Sequence, residues 1–138
     1  MDSGAVDEIE INMTITIDHL TLLVNELQPS IDFYVNIMGF GFKEIGDPYT
    51  EVRANDDFTI GLAPFGTKVS EHLAFALSRE RFDKTFAAIK ASGIPYGDSW
   101  DTVGNNRGPG VESGSRGDAP TLYFHDPSGH LLEIRTYE

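Results

Sequence analysis

Apolar and polar residues alternate along Thr14-Ile-Thr-Ile-Asp18 and lead into an apolar, β-prone run, His19-Leu-Thr-Leu-Leu-Val24. That pattern predicts a half-buried strand over 14–24. Gln28-Pro29-Ser30 punctuates the chain. Ile31, Phe33, Tyr34, Ile37 and Met38 then recur at helical spacing up to Gly39, a plausible helix stop. The same order begins again at residue 72. His72-Leu-Ala-Phe-Ala-Leu77 reads as a strand, Ser78 as an N-cap, and Phe82, Phe86 and Ile89 as one helix face ending at Ser92-Gly93.

The two His-Leu pairs are 53 residues apart and the two helix-ending glycines 54, so the chain reads as two copies of one unit. Three β-like segments follow each helix, over 40–45, 50–55 and 58–64 in the first copy and 95–103, 121–125 and 130–137 in the second. Each copy is then βαβββ, and the fold class is α+β. Module one covers 14–66 and module two 70–138 of a single domain at 14–138, preceded by a flexible acidic tail at 1–13. Residues 104–118, with NNRGPGVESGSRG in their middle, are too glycine-rich for regular structure and are expected to form a mobile loop.

Neighbouring strand residues face opposite sides. His19 shares a face with Ile17 and Thr21, while Leu20, Leu22 and Val24 face the helix. His72 goes with Ala74 and Ala76, and Glu133 with Leu131, Arg135 and Tyr137. Each polar residue lies opposite the helix-packing face, so one curved sheet built from both units would gather His19, His72 and Glu133 on its concave side. Two imidazoles and a carboxylate are the donor set for Fe, Mn, Zn, Ni or Co and leave positions open for a substrate.

Composition narrows the setting. Twenty-two acidic against ten basic residues give a formal net charge of −12, which disfavours nucleic acid and anionic membrane surfaces. No apolar run reaches membrane-spanning length and the first residues lack a signal-peptide pattern, so a cytoplasmic protein is expected. The absence of cysteine removes disulfides, thiolate metal sites and thiol nucleophiles.

Four motifs carry a resemblance to a known family: Ile17-Asp-His-Leu-Thr-Leu-Leu-Val24, Phe33-Tyr34 with Met38-Gly39-Phe40, His72-Leu73, and Leu122-Tyr-Phe-His-Asp-Pro-Ser-Gly-His-Leu-Leu-Glu133. Together they span about residues 15–137 and resemble the vicinal oxygen chelate superfamily of glyoxalase I, fosfomycin-resistance enzymes, bleomycin-resistance proteins and extradiol dioxygenases. The resemblance implies paired βαβββ modules forming a cupped mixed sheet around one divalent metal ion held by His19, His72 and Glu133, in a homodimer. It implies an enzyme of glyoxalase or dioxygenase type acting on a small molecule with vicinal oxygens. The alternative is a metal-independent drug- or metabolite-binding protein of bleomycin-resistance type. Gly61 stands where glyoxalase I has a fourth ligand, and Gly114, Ser115 and Arg116 stand where extradiol enzymes have a histidine some residues before the tyrosine.

Further residues complete the expectation. Tyr123 faces the cup as a hydrogen-bond donor to a developing oxyanion or as a packing residue. Arg135 anchors a substrate carboxylate or pairs with an acid. Arg107 and Arg116, on the loop, could close over an anion. Thr59, Gly61 and Ala63 leave room beside the metal, with Trp100 and Phe65 as candidate lining. His125 and His130 flank the turn Asp126-Pro-Ser-Gly129, which predicts an exposed His130.

Overall fold

The computed structural model describes residues 14–44 and 50–138. The proposed N-terminal tail lies outside the described residues. The first unit consists of β1 (His19–Leu23), α1 (Leu27–Asp32), β2 (Gly41–Glu44), β3 (Thr50–Arg53) and β4 (Thr59–Ala63). The second consists of β5 (His72–Ala76), α2 (Arg79–Ala91), β6 (Tyr96–Gly97), β7 (Gly110–Glu112), β8 (Ala119–His125) and β9 (Leu131–Arg135).

Each unit closes its own mixed sheet in the same way. In the first, β1 pairs parallel with β4, and β3 and β2 follow antiparallel. In the second, β5 pairs parallel with β9, and β8 and β6 follow antiparallel. The inferred repeat is therefore a repeat of topology. The strands that begin with His19 and His72, β1 and β5, both end up on the edge of their sheets.

The helices depart from the sequence reading in one respect. The first begins at Leu27, so Pro29 lies inside its first turn, where its missing N–H would have had no partner anyway. It continues as a π-helical turn, Phe33–Ile37, in which Met38 N–H bonds Phe33 C=O at 3.1 Å, and it ends at Gly39 with φ +76°. An added Cβ at Gly39 would run into the Arg81 guanidinium, so glycine serves both backbone and packing there. The second helix is capped by Ser78, whose side chain accepts from Arg81 N–H at 3.1 Å. Residues 14–18 are not strand; β1 starts at His19.

Leu22, Val24, Ile60 and Leu62 from one sheet and Leu122, Phe124, Leu132 and Ile134 from the other belong to one continuous buried cluster with Tyr34, Met38, Phe82 and Ile89 of the helical segments. The opposite faces of β1 and β5 are open: His19, Thr21, His72, Ala74 and Ala76 are exposed. The alternation thus sorts side chains as the sequence implied.

Polar groups tie the units together through the Asp126-Pro-Ser-Gly129 turn. The Tyr34 hydroxyl donates to Asp126 Oδ2 at 2.6 Å, while Asp126 Oδ1 accepts the N–H groups of Ser128 and His130, each at 2.9 Å. His130 is 1% exposed, not at the surface as the turn pattern suggested. Its Nδ1 accepts from Glu71 N–H at 2.9 Å, so its proton sits on Nε2 and is donated to Leu23 C=O at 2.7 Å. One imidazole therefore satisfies a carbonyl on β1 and an amide just before β5.

Removing it leaves the Leu23 carbonyl and the Glu71 amide, both in part-buried hydrogen bonds, without their partner. His130→Ala is expected to cost about 2–4 kcal/mol in urea unfolding, from unsatisfied groups and a void together. Tyr34→Phe is expected to cost about 1–3 kcal/mol. A His130→Ala protein within about 0.5 kcal/mol of wild type, the range of an ordinary surface change, would contradict this role.

Candidate metal centre

Glu133 and His72 face each other across the parallel β5–β9 pair. Glu133 lies opposite Ala74, two residues from His72, and small Ala74 leaves the space between them open. His72 Nε2 and Glu133 Oε1 are 2.9 Å apart. Adjacent ligands bound at right angles to one ion, at bonds of about 2.1 Å, stand about 3 Å apart. The separation of the pair therefore matches that of two ligands on one divalent ion, which would take the place of the hydrogen bond between them.

Glu133 is 6% exposed, and a buried carboxylate needs compensation. Its other oxygen, Oε2, accepts from Arg135 Nη1 at 2.7 Å. Arg135 also donates to the carbonyls of Ser113, Glu112 and Gly117, at 3.2, 2.8 and 3.1 Å. Only its Nε lacks a partner among the described residues. Burial alone would lower the Arg135 pKa, but hydrogen bonding to Glu133 and the neighbouring Tyr137 hold it above its ordinary value. With four N–H groups engaged by the protein, Arg135 orients Glu133 and clamps the 112–117 segment to β9.

Gly114 makes that clamp possible. An added Cβ would overlap the Arg135 guanidinium, so only glycine lies this flat against it. The expected mobile loop over 104–118 is correspondingly ordered along much of its length. β7 pairs with β8, the Asn106 side chain accepts from Tyr96 N–H, and Asn105 and Thr102 side chains donate to Asp98, holding its carboxyl below its ordinary value. In place of a long strand over 95–103 there is only the two-residue β6 followed by this turn.

Tyr123 pairs with Glu133 across β8 and β9, and its ring lies 6.3 Å from that of His72. Burial first, and the charge of Glu133 next, push its pKa up to about 12, so it remains a neutral donor beside the carboxylate.

His19 is not part of this group. It sits on the open face of the other sheet with Nδ1 2.7 Å from Asp18 Oδ2. Among the described residues no three histidine or acidic side chains are close enough to hold an ion.

One residue the sequence reading passed over shares the His19 face. Glu51 pairs with Gly61, and Gly61 with Thr21. Without a side chain at Gly61, the Glu51 carboxylate has room on that face. It accepts from Thr59 Oγ1 at 3.3 Å, and Thr59 is the cross-strand partner of His19. Lys43 Nζ lies 3.9 Å from its other oxygen. The signal was present in the alternation of 50–53 and 59–63, but only pairing shows that Glu51 and His19 share a face. Trp100 and Phe65 are largely exposed and line neither the cavity beside Glu133 nor the groove between β1 and β5.

The sequence pattern of the Glyoxalase/Bleomycin resistance protein/Dioxygenase superfamily matches residues 16–134. Virulence protein STM3117 of Salmonella typhimurium is 26% identical over 130 residues, covering 88% of this chain and 83% of that protein. The solved structure of the oxidase ChaP-H2 superposes with a TM-score of 0.72 at 26% identity, over 91% of this chain and 96% of that one. The fosfomycin resistance protein FosX of Listeria monocytogenes shares the fold at a TM-score of 0.67 and 20% identity, over 91% and 96% of the two chains. No helix among the described residues is long and apolar enough to cross a membrane.

The raised tyrosine values give a testable alkaline signature. Below about pH 10 the phenol of Tyr123 is protonated folded and unfolded, and its contribution to stability is complete. Above that the unfolded chain ionises first, so stability falls as pH rises from about 10 towards the folded value of about 12. Tyr34, raised chiefly by burial, acts in the same direction. Urea titrations at about pH 9 and 11 should show the loss, and Tyr123→Phe should reduce it. An unchanged loss in that variant would place Tyr123 in a wetter setting than described.

Proposed function

This chain belongs to the glyoxalase/bleomycin resistance protein/dioxygenase superfamily, and from that premise we propose that it is a divalent-metal-dependent enzyme acting on a small molecule with vicinal oxygens. The observation that carries the reading is the pair His72 Nε2 and Glu133 Oε1, 2.9 Å apart on an open strand face, with the second carboxylate oxygen held away by Arg135.

His72, Glu133 and a His19 from a second copy of the chain would hold the ion, which is Fe, Mn, Zn, Ni or Co by donor type. Three features support a homodimer. His19 lies on a different sheet from His72 and Glu133, the strands that carry His19 and His72 are both sheet edges, and Ile15, Ile17 and Leu23 beside His19 are 73%, 69% and 42% exposed. A bound ion supplies Lewis-acid polarisation of two adjacent substrate oxygens.

The protein supplies the remaining functions. Arg135 fixes Glu133 and leaves one of its oxygens for the ion. Tyr123, neutral and adjacent, donates a hydrogen bond to an oxyanion developing on the substrate. Glu51, on the face that carries His19, accepts a proton from the substrate, a role that neither Glu133 nor Arg135 is free to take.

Elemental analysis of untagged protein should find about one ion per chain, lost in His72→Ala and in His19→Ala. Mixing and refolding those two variants should restore about a quarter of the wild-type content, because half of the dimers are mixed and each holds one intact site. No restoration would mean that each site is built within one chain. No ion in wild type after reconstitution would transfer the reading to a metal-independent binding protein.

Glu51→Gln should keep the ion. In D₂O, metal-loaded wild type should speed hydrogen exchange at the carbon next to the carbonyl of dihydroxyacetone, and the variant should slow this about a hundredfold. Equal exchange by both proteins would remove Glu51 from proton transfer.

A further inference from the structure

The cup face beside Glu133 opens into a cavity of about 340 Å³. Ala74, Ala76, the segment Ser113–Arg116 and Tyr137 line it beside Glu133. Two cations line it, and their situations differ. Arg135 is buried, with four of its N–H groups bonded to Glu133 and to backbone carbonyls. Arg116 is exposed, and among the described residues no carboxylate lies within 4.0 Å of its guanidinium.

Arg116 is nonetheless held in place. Its guanidinium carbon lies 4.2 Å from the centroid of the Tyr137 ring, and its backbone N–H donates to the Tyr137 hydroxyl at 3.3 Å. A cation resting on an aromatic face keeps its in-plane N–H groups available while part of its charge is balanced by the ring. The loop that carries it is anchored to β9 by Arg135, so the guanidinium is offered from a fixed wall.

In a chain of net charge −12, an arginine left without an acid beside a cavity is a local source of positive potential. We infer that Arg116 is the specificity-determining residue of this cavity and that it recognises a carboxylate on the substrate, separate from the two oxygens directed to the Glu133 site. A planar guanidinium matches a carboxylate with two parallel N–H···O bonds, a geometry a lysine cannot reproduce. The small side chains of Ala74 and Ala76 leave the path between Glu133 and Arg116 open to the body of the substrate. The inference rests on the metal-centred reading for the position of the other two oxygens.

Matched ligands test it. Catechol presents vicinal oxygens alone, whereas 2,3- and 3,4-dihydroxybenzoate add a carboxylate at different reach. Isothermal titration without oxygen, on Mn²⁺-loaded and on metal-free protein, compares wild type with Arg116→Ala and Arg116→Lys. Wild type should bind at least one dihydroxybenzoate about tenfold more tightly than catechol, the scale of one charge-assisted contact. Arg116→Ala should reduce the preference to about twofold or less with unchanged Mn²⁺ content, and Arg116→Lys should keep part of it.

A preference that survives in Arg116→Ala, or none in wild type, overturns the inference. Protein that binds no Mn²⁺ yet shows an Arg116-dependent preference overturns the metal reading and leaves the carboxylate site standing. Protein that binds Mn²⁺ without any preference does the reverse.

Discussion

The relation between the two sheets depends on a buried carboxylate and a buried imidazole in one turn. Asp126 and His130 lie in the second unit, yet their partners include the Tyr34 hydroxyl and the Leu23 carbonyl of the first. Apolar contact between the units is non-directional and would tolerate sliding. Hydrogen bonds in a low-dielectric interior do not, because each misplaced donor or acceptor is left unsatisfied. His130 uses both ring nitrogens, and this sets β1 and the start of β5 in one geometry. Because Glu133 follows His130 by three residues on β9, the same turn that joins the sheets also sets where the carboxylate stands.

Glu133 shows how a buried charge can be compensated while one of its partners stays open to solvent. An anion at 6% exposure is stabilised by Arg135 on one oxygen and by His72 on the other. The two partners are unequal. Arg135 is itself buried and carries a second duty in holding the 112–117 segment, while His72 is open to solvent. An incoming cation would therefore take the place of the hydrogen bond with His72 and leave the Arg135 contact intact. The segment, the arginine and the carboxylate form one unit, so the wall that bears Arg116 is connected through Arg135 to the proposed metal ligand. Gly114 is the small residue on which this contact depends.

The open faces carry the remaining candidate site residues. One sheet presents His19, Thr21 and Glu51, the other His72, Ala74 and Glu133. Between β1 and β5 lies a groove of about 360 Å³ lined by Ile17, Leu20, Phe58, Leu73 and Phe75. The faces are polar where a ligand would bind and apolar along the edges. That distribution suits association with a second copy better than permanent exposure to water.

Periodicity and repetition in the sequence were enough to determine the two βαβββ units, which residues of β1 and β5 face the helices, and the helix-ending glycines. These follow from local rules: alternate residues of a strand face opposite ways, and a chain that must turn out of a helix prefers glycine. The superfamily was likewise readable, because its motifs are contiguous in the sequence. Tertiary structure alone decided the rest. His130 became a buried clasp because its partners are backbone groups 107 and 59 residues away, which no side-chain pattern records. Residues 104–118 gained order from pairing with β8 and from the Arg135 clamp. Glu51 joined the His19 face through strand pairing, and His19 fell on a different sheet from His72 and Glu133. Local patterning specifies which way a side chain points, whereas which groups meet depends on pairing, register and long-range hydrogen bonds that exist only once the chain is folded.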